Sequence, residues 1–143
     1  MNERIGKFIS ILHRKGQIYL NKKLKPYDVV ASEVPILLAL YKKDGMTQDE
    51  LATYISLDKS AVTRIIQSLL KKNYIIKIKD QKDLRCNRIY MTPKGLLIKE
   101  PLEKVLDEWH QKLMEGLEPS KQAEVLHLLG LLVENTKGAQ YND

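Results

Sequence analysis

Thr47-Gln48-Asp49-Glu50-Leu51-Ala52-Thr53-Tyr54-Ile55-Ser56-Leu57-Asp58-Lys59-Ser60-Ala61-Val62-Thr63-Arg64 has the pattern of two short helices joined by a tight turn. Thr47 with Glu50 three residues on has the form of a capping box, so a helix starts at Gln48. Leu51, Ala52 and Ile55 give that helix an apolar side. Ser56-Leu57 makes a tight turn, and Asp58 caps a second helix over residues 59–72. Val62, Ile65, Ile66, Leu69 and Leu70 form its buried row. Lys59, Ser60, Thr63, Arg64, Gln67 and Lys71 form the opposite row, which contains no carboxylate. A short helix that is polar and basic on one face suits insertion into the DNA major groove.

Working outward, Asn73 tolerates the left-handed conformation and closes the second helix. Residues 74–79 read as a strand with Ile76 and Ile78 on one face. Asp80-Gln81-Lys82-Asp83 is a turn. Residues 88–92 return, with Ile89 and Met91 alternating against Arg88 and Tyr90. Thr92-Pro93 starts another helix as N-cap and first helical residue. Upstream, Ile5, Phe8, Ile9 and Leu12 have helical spacing, resumed at Ile18, Tyr19, Leu20 and Leu24 and stopped by Pro26. Ser32 is read as the N-cap of a helix over 33–43, with Gly45 at its left-handed end. Downstream, Leu97, Ile98, Leu102, Val105, Leu106, Trp109, Leu113 and Leu117 line one helix, which Pro101 kinks. Val125, Leu128, Leu129, Leu132 and Val133 line the last, and Lys137–Asp143 reads as a frayed tail.

The chain has 143 residues, about one ordinary domain. Its 43% hydrophobic and 29% charged content is that of a soluble globular protein. No apolar run approaches the ~20 residues of a membrane span, and the N-terminus lacks a signal-type apolar core, so a cytoplasmic location is the expectation. The net charge of +6 is unevenly placed. Residues 1–46 carry nine Lys/Arg against four Asp/Glu, residues 47–94 ten against five, and residues 95–143 five against nine. Basic character around a helix pair points to a polyanion. A helix pair with a hairpin buries its own core in about 60–90 residues. The first helix and the last two therefore carry surplus apolar faces, most simply covered by a second copy. The single cysteine, Cys86, excludes an intramolecular disulfide. Beside Arg85 and Arg88 it is either a thiol of lowered pKa or an ordinary hairpin thiol.

The order of elements and their residues resemble the MarR family of winged helix-turn-helix regulators. The matching text is Thr47 to Ala52, Leu57 to Arg64, Leu69-Leu70-Lys71-Lys72-Asn73-Tyr74-Ile75, Asp83-Leu84-Arg85, and Met91-Thr92-Pro93-Lys94-Gly95. The Asp-x-Arg of the hairpin and the Thr-x-Lys-Gly after it are its more specific signs. The resemblance implies a mainly α fold with a small β-hairpin wing. Residues 31–94 would form the winged helix-turn-helix, and residues 1–30 and 95–140 a helical dimerisation region. It implies a homodimer on double-stranded DNA, with one recognition helix per subunit in successive major grooves of a pseudo-palindromic operator. Half-sites would lie about one helical turn apart, ~10 bp or a multiple. Repression is the commoner family role.

On this reading Lys59, Ser60, Thr63, Arg64 and Gln67 are the recognition-helix residues, Arg suiting guanine and Gln adenine. Lys59 and the amides after Asp58 make a phosphate seat. Arg85 is the leading wing residue, aimed at a narrow minor groove, with Asp83 holding its guanidinium. Lys77, Lys79, Lys82 and Arg88 add attraction to phosphates, or guard strand edges.

The resemblance also implies control by a small aromatic or anionic effector, with His13, Arg14 and Tyr41 as candidate lining groups. His13, His110 and His127 are scattered, so no metal or other cofactor is expected. Neither a catalytic triad nor a Gly-rich phosphate loop is present, which argues against an enzyme. The competing reading is a helix-turn-helix used for protein contacts without a specific DNA site.

Overall fold

The computed structural model describes residues 3–138, so residues 139–143 of the expected frayed tail lie outside the described residues. The described residues form two compact units, one ending at Asp107 and the other starting at Glu108.

The first unit begins with α1 (Ile5–Lys23). Pro26 ends it, and a 3-10 turn over Lys25–Tyr27 follows. A second 3-10 turn, Ala31–Glu33, leads into α2 (Val34–Lys42). Ser32 is therefore inside a turn and does not cap α2. Helix α2 has no side-chain cap, and the side-chain bonds fall at the start of the 3-10 turn instead: Asn21 Oδ1 accepts from the Ala31 amide at 2.7 Å, and Glu33 Oε1 from the Val30 amide at 2.9 Å. Helices α3 (Gln48–Ile55) and α4 (Lys59–Lys71) follow, as the capping residues dictate. Thr47 Oγ1 accepts from the Glu50 amide at 3.1 Å, and Asp58 Oδ1 from the Ala61 amide at 2.7 Å. The Glu50 carboxylate takes the Thr47 hydroxyl at 3.3 Å, so only half of the capping box forms as drawn. Ser56 adopts a left-handed conformation (φ 57°) between the helices, and Asn73 (φ 62°) ends α4.

Strands β2 (Ile75–Lys79) and β3 (Asn87–Met91) make the hairpin, pairing Ile75 with Met91 and Lys79 with Asn87. A third strand, β1 (Met46–Thr47), joins the other edge of β3, giving the antiparallel order β1-β3-β2. Two residues carry too little alternation to announce a strand. Gly45 makes this approach possible: its φ is +78°, and a Cβ there would sit 2.9 Å from the Tyr90 ring. Ile76 and Ile78 do share a face, but it is the outer one, 45% and 49% exposed. Ile75, Ile89 and Met91 turn inward.

Helix α5 (Pro93–Leu97) is capped by Thr92, whose Oγ1 accepts from the Gly95 amide at 3.0 Å. It breaks at Ile98 before α6 (Lys99–Leu113). Pro101 has no N–H to give the Leu97 carbonyl four residues back, so the expected kink is a full interruption. The core of this unit joins Leu24, Ile36, Leu37, Leu40, Leu51, Ile66, Leu69, Ile75, Ile89 and Leu102, all fully buried. On α1, by contrast, Ile5, Phe8, Ile9, Leu12 and Ile18 are exposed.

The second unit contains α7 (Pro119–Thr136), after a turn in which Gly116 has φ +82°. No residue of α7 is buried, although Leu126, Leu128, Leu129, Leu131, Leu132 and Val133 lie along it. No helix of the described residues is long and apolar enough to cross a membrane.

Candidate nucleic-acid interface

Helix α4 presents the polar row as read. Val62, Ile66 and Leu69 are buried, while Lys59, Ser60, Thr63, Arg64 and Gln67 are exposed. Several of these groups are locally engaged. The Ser60 hydroxyl donates to Asp58 Oδ1 at 2.6 Å, and the Thr63 hydroxyl to the Lys59 carbonyl at 2.9 Å. Lys59 Nζ lies 3.3 Å from Asp49 Oδ1 on α3, an exposed pair of little energetic weight. Asp58, holding both Ser60 and the Ala61 amide, has its carboxyl pKa pulled below the usual range by those bonds. It therefore stays ionised and keeps the N-terminus of α4 closed.

The wing tip is built around Asp83. Arg85 Nε donates to Asp83 Oδ1 at 3.0 Å and Nη2 to Oδ2 at 3.2 Å, and the Arg85 amide donates to Oδ1 at 3.1 Å. The Arg85 side chain is nevertheless 90% exposed, oriented by the carboxylate and still open to a ligand. The guanidinium holds the Asp83 carboxyl below the usual carboxylate range, and Asp83 in turn raises Arg85. Lys79 and Lys82 are exposed on the same hairpin.

Arg88 has a different placing. Its Nη1 donates to the Gly45 carbonyl at 2.8 Å and lies 3.8 Å from Glu50 Oε1, and its Nη2 lies 3.2 Å from Asp80 Oδ2. This guanidinium ties the base of the wing to β1 and α3. Asp44 assists, accepting from the Met91 amide at 2.9 Å. Nothing in the local sequence distinguishes Arg88 from a free wing cation, because its partners lie up to 43 residues away.

Cys86 departs from the reading in which neighbouring arginines lower its pKa. Desolvation first, then the Asp83 carboxylate 3.7 Å from its Sγ, push the thiol up. Arg85 is already occupied by the same carboxylate, and Arg88 faces Asp80.

The three candidate effector residues are not brought together. A crevice of about 460 Å³ lies among α1, the Ala31–Glu33 turn, α3 and α4. His13 lines it, with Gln17, Ile55, Arg64, Ile65 and Ser68. Arg14 instead donates to the Ser10 hydroxyl on its own helix. The Tyr41 hydroxyl donates to the Gly95 carbonyl at 2.6 Å, and burial pushes its pKa up to about 12. Tyr41 thus ties α2 to α5. Glu33, on the crevice wall, escaped the sequence reading; a lone glutamate at a turn gives no signal of burial.

Residues 31–87 match the model of the MarR family. The chain is 29% identical over 126 residues to the multiple antibiotic resistance protein MarR of Salmonella typhimurium, covering 87% of this chain and 88% of that protein. Among solved structures, a MarR transcriptional regulator from Methanosarcina mazei Go1 is 36% identical with a TM-score of 0.88, covering 92% of this chain and 94% of that one. A mutant MarR from E. coli complexed with operator DNA is 26% identical with a TM-score of 0.81, covering 90% and 92%.

Proposed function

The chain belongs to the MarR family of DNA-binding transcriptional regulators, and on that premise we propose that it is a homodimeric repressor acting on a pseudo-palindromic operator. The supporting observation is the pairing of an exposed carboxylate-free row on α4 with an exposed arginine that Asp83 orients on the wing. Helix α4 enters the major groove through Ser60, Thr63, Arg64 and Gln67, with Lys59 on the backbone. Arg85 probes the adjacent minor groove, where a narrow, electronegative channel favours a guanidinium. Lys79 and Lys82 add phosphate attraction, and Arg88 holds the wing at its angle.

Dimerisation rests on the apolar surfaces of α1 and α7. A helix apolar on most sides with no buried residue calls for a partner. A second copy supplies one, and its two-fold axis accounts for an inverted-repeat operator. The crevice beside α4 is the seat for a small effector, with Arg64 and His13 as the groups that favour an anion. Such a ligand releases DNA by binding the DNA-free arrangement more tightly. We take the site of this action to be the cytoplasm.

Selection of duplexes from a random-sequence pool tests this reading, followed by a salt titration of the winner. An inverted repeat, bound by a dimer with log K falling steeply against log salt, is the expected result. Binding indifferent to salt, with no sequence enriched, points to the protein-contact alternative.

A further inference from the structure

Glu33 is the one charged residue in the buried set among the described residues, at 1% exposure. Its carboxylate is saturated with donors. Oε1 accepts from the Val30 amide at 2.9 Å and from Lys72 Nζ at 2.8 Å; Oε2 accepts from Lys72 Nζ at 2.9 Å and from the Ser68 hydroxyl at 2.7 Å. Ser68 and Lys72 are one helical turn apart, so the carboxylate grips two successive turns at the end of α4. Ser60, Arg64, Ser68 and Lys72 form a single i,i+4 stripe. Its first half faces outward with the recognition residues, and its second half is held by Glu33.

The other buried contacts of α4 are apolar and non-directional, the Lys59–Asp49 pair being exposed. Val62, Ile66 and Leu69 resist withdrawal of the helix and large rotations, which would expose them, but tolerate small rotations about its axis. A multidentate charged grip does not, because its bonds weaken steeply with angle. The same junction carries two further ties: the Tyr74 hydroxyl donates to the Tyr27 carbonyl, and Lys94 Nζ donates to the Lys72 carbonyl at 2.8 Å.

We infer that Glu33 is a positioning residue for DNA reading: through Ser68 and Lys72 it sets the rotation of α4, and hence which side chains meet base edges. Because Glu33 and Ser68 also wall the crevice, whatever fills that crevice meets the grip directly. The inference rests on the DNA reading above.

The test uses the full-length protein, the duplex it selects from random DNA, and a scrambled duplex of equal length. Glu33→Gln is compared with Glu33→Gln/Lys72→Met, which removes the ammonium that the first variant leaves with Asp28 Oδ1, 4.0 Å away, as its carboxylate partner. Each is assayed well below its own melting midpoint. The expected result is a fall in the ratio of selected to scrambled affinity of roughly ten-fold or more in both variants, with scrambled binding unchanged. The double variant recovers thermal stability without recovering that ratio. Amide hydrogen exchange accelerates in α4 while α3 is unaffected. A purely structural role lowers the melting point and scales both affinities together, which overturns the inference, as does a ratio within about two-fold of wild type. A wild-type protein that selects no sequence overturns the DNA reading and the inference with it.

Discussion

Arg85 and Asp83, two residues apart at the tip of the wing, form a two-pronged pair at 3.0 and 3.2 Å that leaves the arginine almost wholly exposed. The pair is too solvated to stabilise the fold appreciably. On the proposed reading its effect is orientational: a long flexible cation is held in one pose before DNA arrives, so less entropy is lost on binding. Arg85→Ala should therefore weaken operator binding by roughly ten-fold, and Asp83→Ala by less. Anisotropy titrations measure both, and full affinity in Arg85→Ala would remove the wing from the interface.

The same pair makes a prediction in pH. Asp83 has a folded-state pKa depressed by Arg85, so the pair is intact above the ordinary aspartate value of about 3.9 and is lost only as pH falls through the lowered one. DNA binding should show no titration from Asp83 between about pH 5 and 8. Carboxyl NMR should find its midpoint below the usual value and see it rise in Arg85→Ala. An unshifted midpoint in the wild type would mean the pair does not persist in solution.

Cys86 should behave as a sluggish thiol. Its pKa is raised by desolvation and by Asp83, so thiolate is scarce at neutral pH. Alkylation by iodoacetamide should be slower than that of free cysteine near pH 7, and Asp83→Asn should speed it. Fast, pH-independent labelling would contradict this environment.

Gly95 is required by space rather than by backbone angle. A Cβ there would meet the Tyr74 carbonyl at 2.3 Å and Met91 Sδ at 2.4 Å, and the Gly95 carbonyl accepts the Tyr41 hydroxyl. The carbonyl is main chain and has little room to yield. Gly95→Ala should cost about 1–3 kcal/mol, read from denaturant melts. A neutral substitution would show that α5 shifts freely against the sheet.

If α7 forms the proposed dimer contact, Leu129→Glu and Leu132→Glu should give monomers in sedimentation where the parent gives dimers, with loss of operator binding. A charge on a face buried between copies is expensive to desolvate. Retained dimers would place the subunit contact elsewhere.

The helix pair and hairpin were legible because their signals are local. Thr47, Asp58 and Thr92 cap helices three residues away, and Pro26 and Pro101 interrupt backbone bonds within one turn. Strand β1 was not legible, since its partner lies more than forty residues on and two residues carry no periodicity. The shared face of Ile76 and Ile78 was legible, but not that it is the outer one: period 2 assigns residues to faces and does not say which face the core takes.

Spacings of a few residues were enough to read the helix pair, the hairpin, the exposed polar row of α4 and the Asp83–Arg85 pair. Only the tertiary structure decided that Arg88 braces the wing, that Tyr41 ties α2 to α5, and that Glu33 is buried against Ser68 and Lys72. A charged side chain looks the same in one dimension whether water or a distant segment solvates it. Which of the two it meets depends on how the apolar rows collapse, and that is a property of the whole chain.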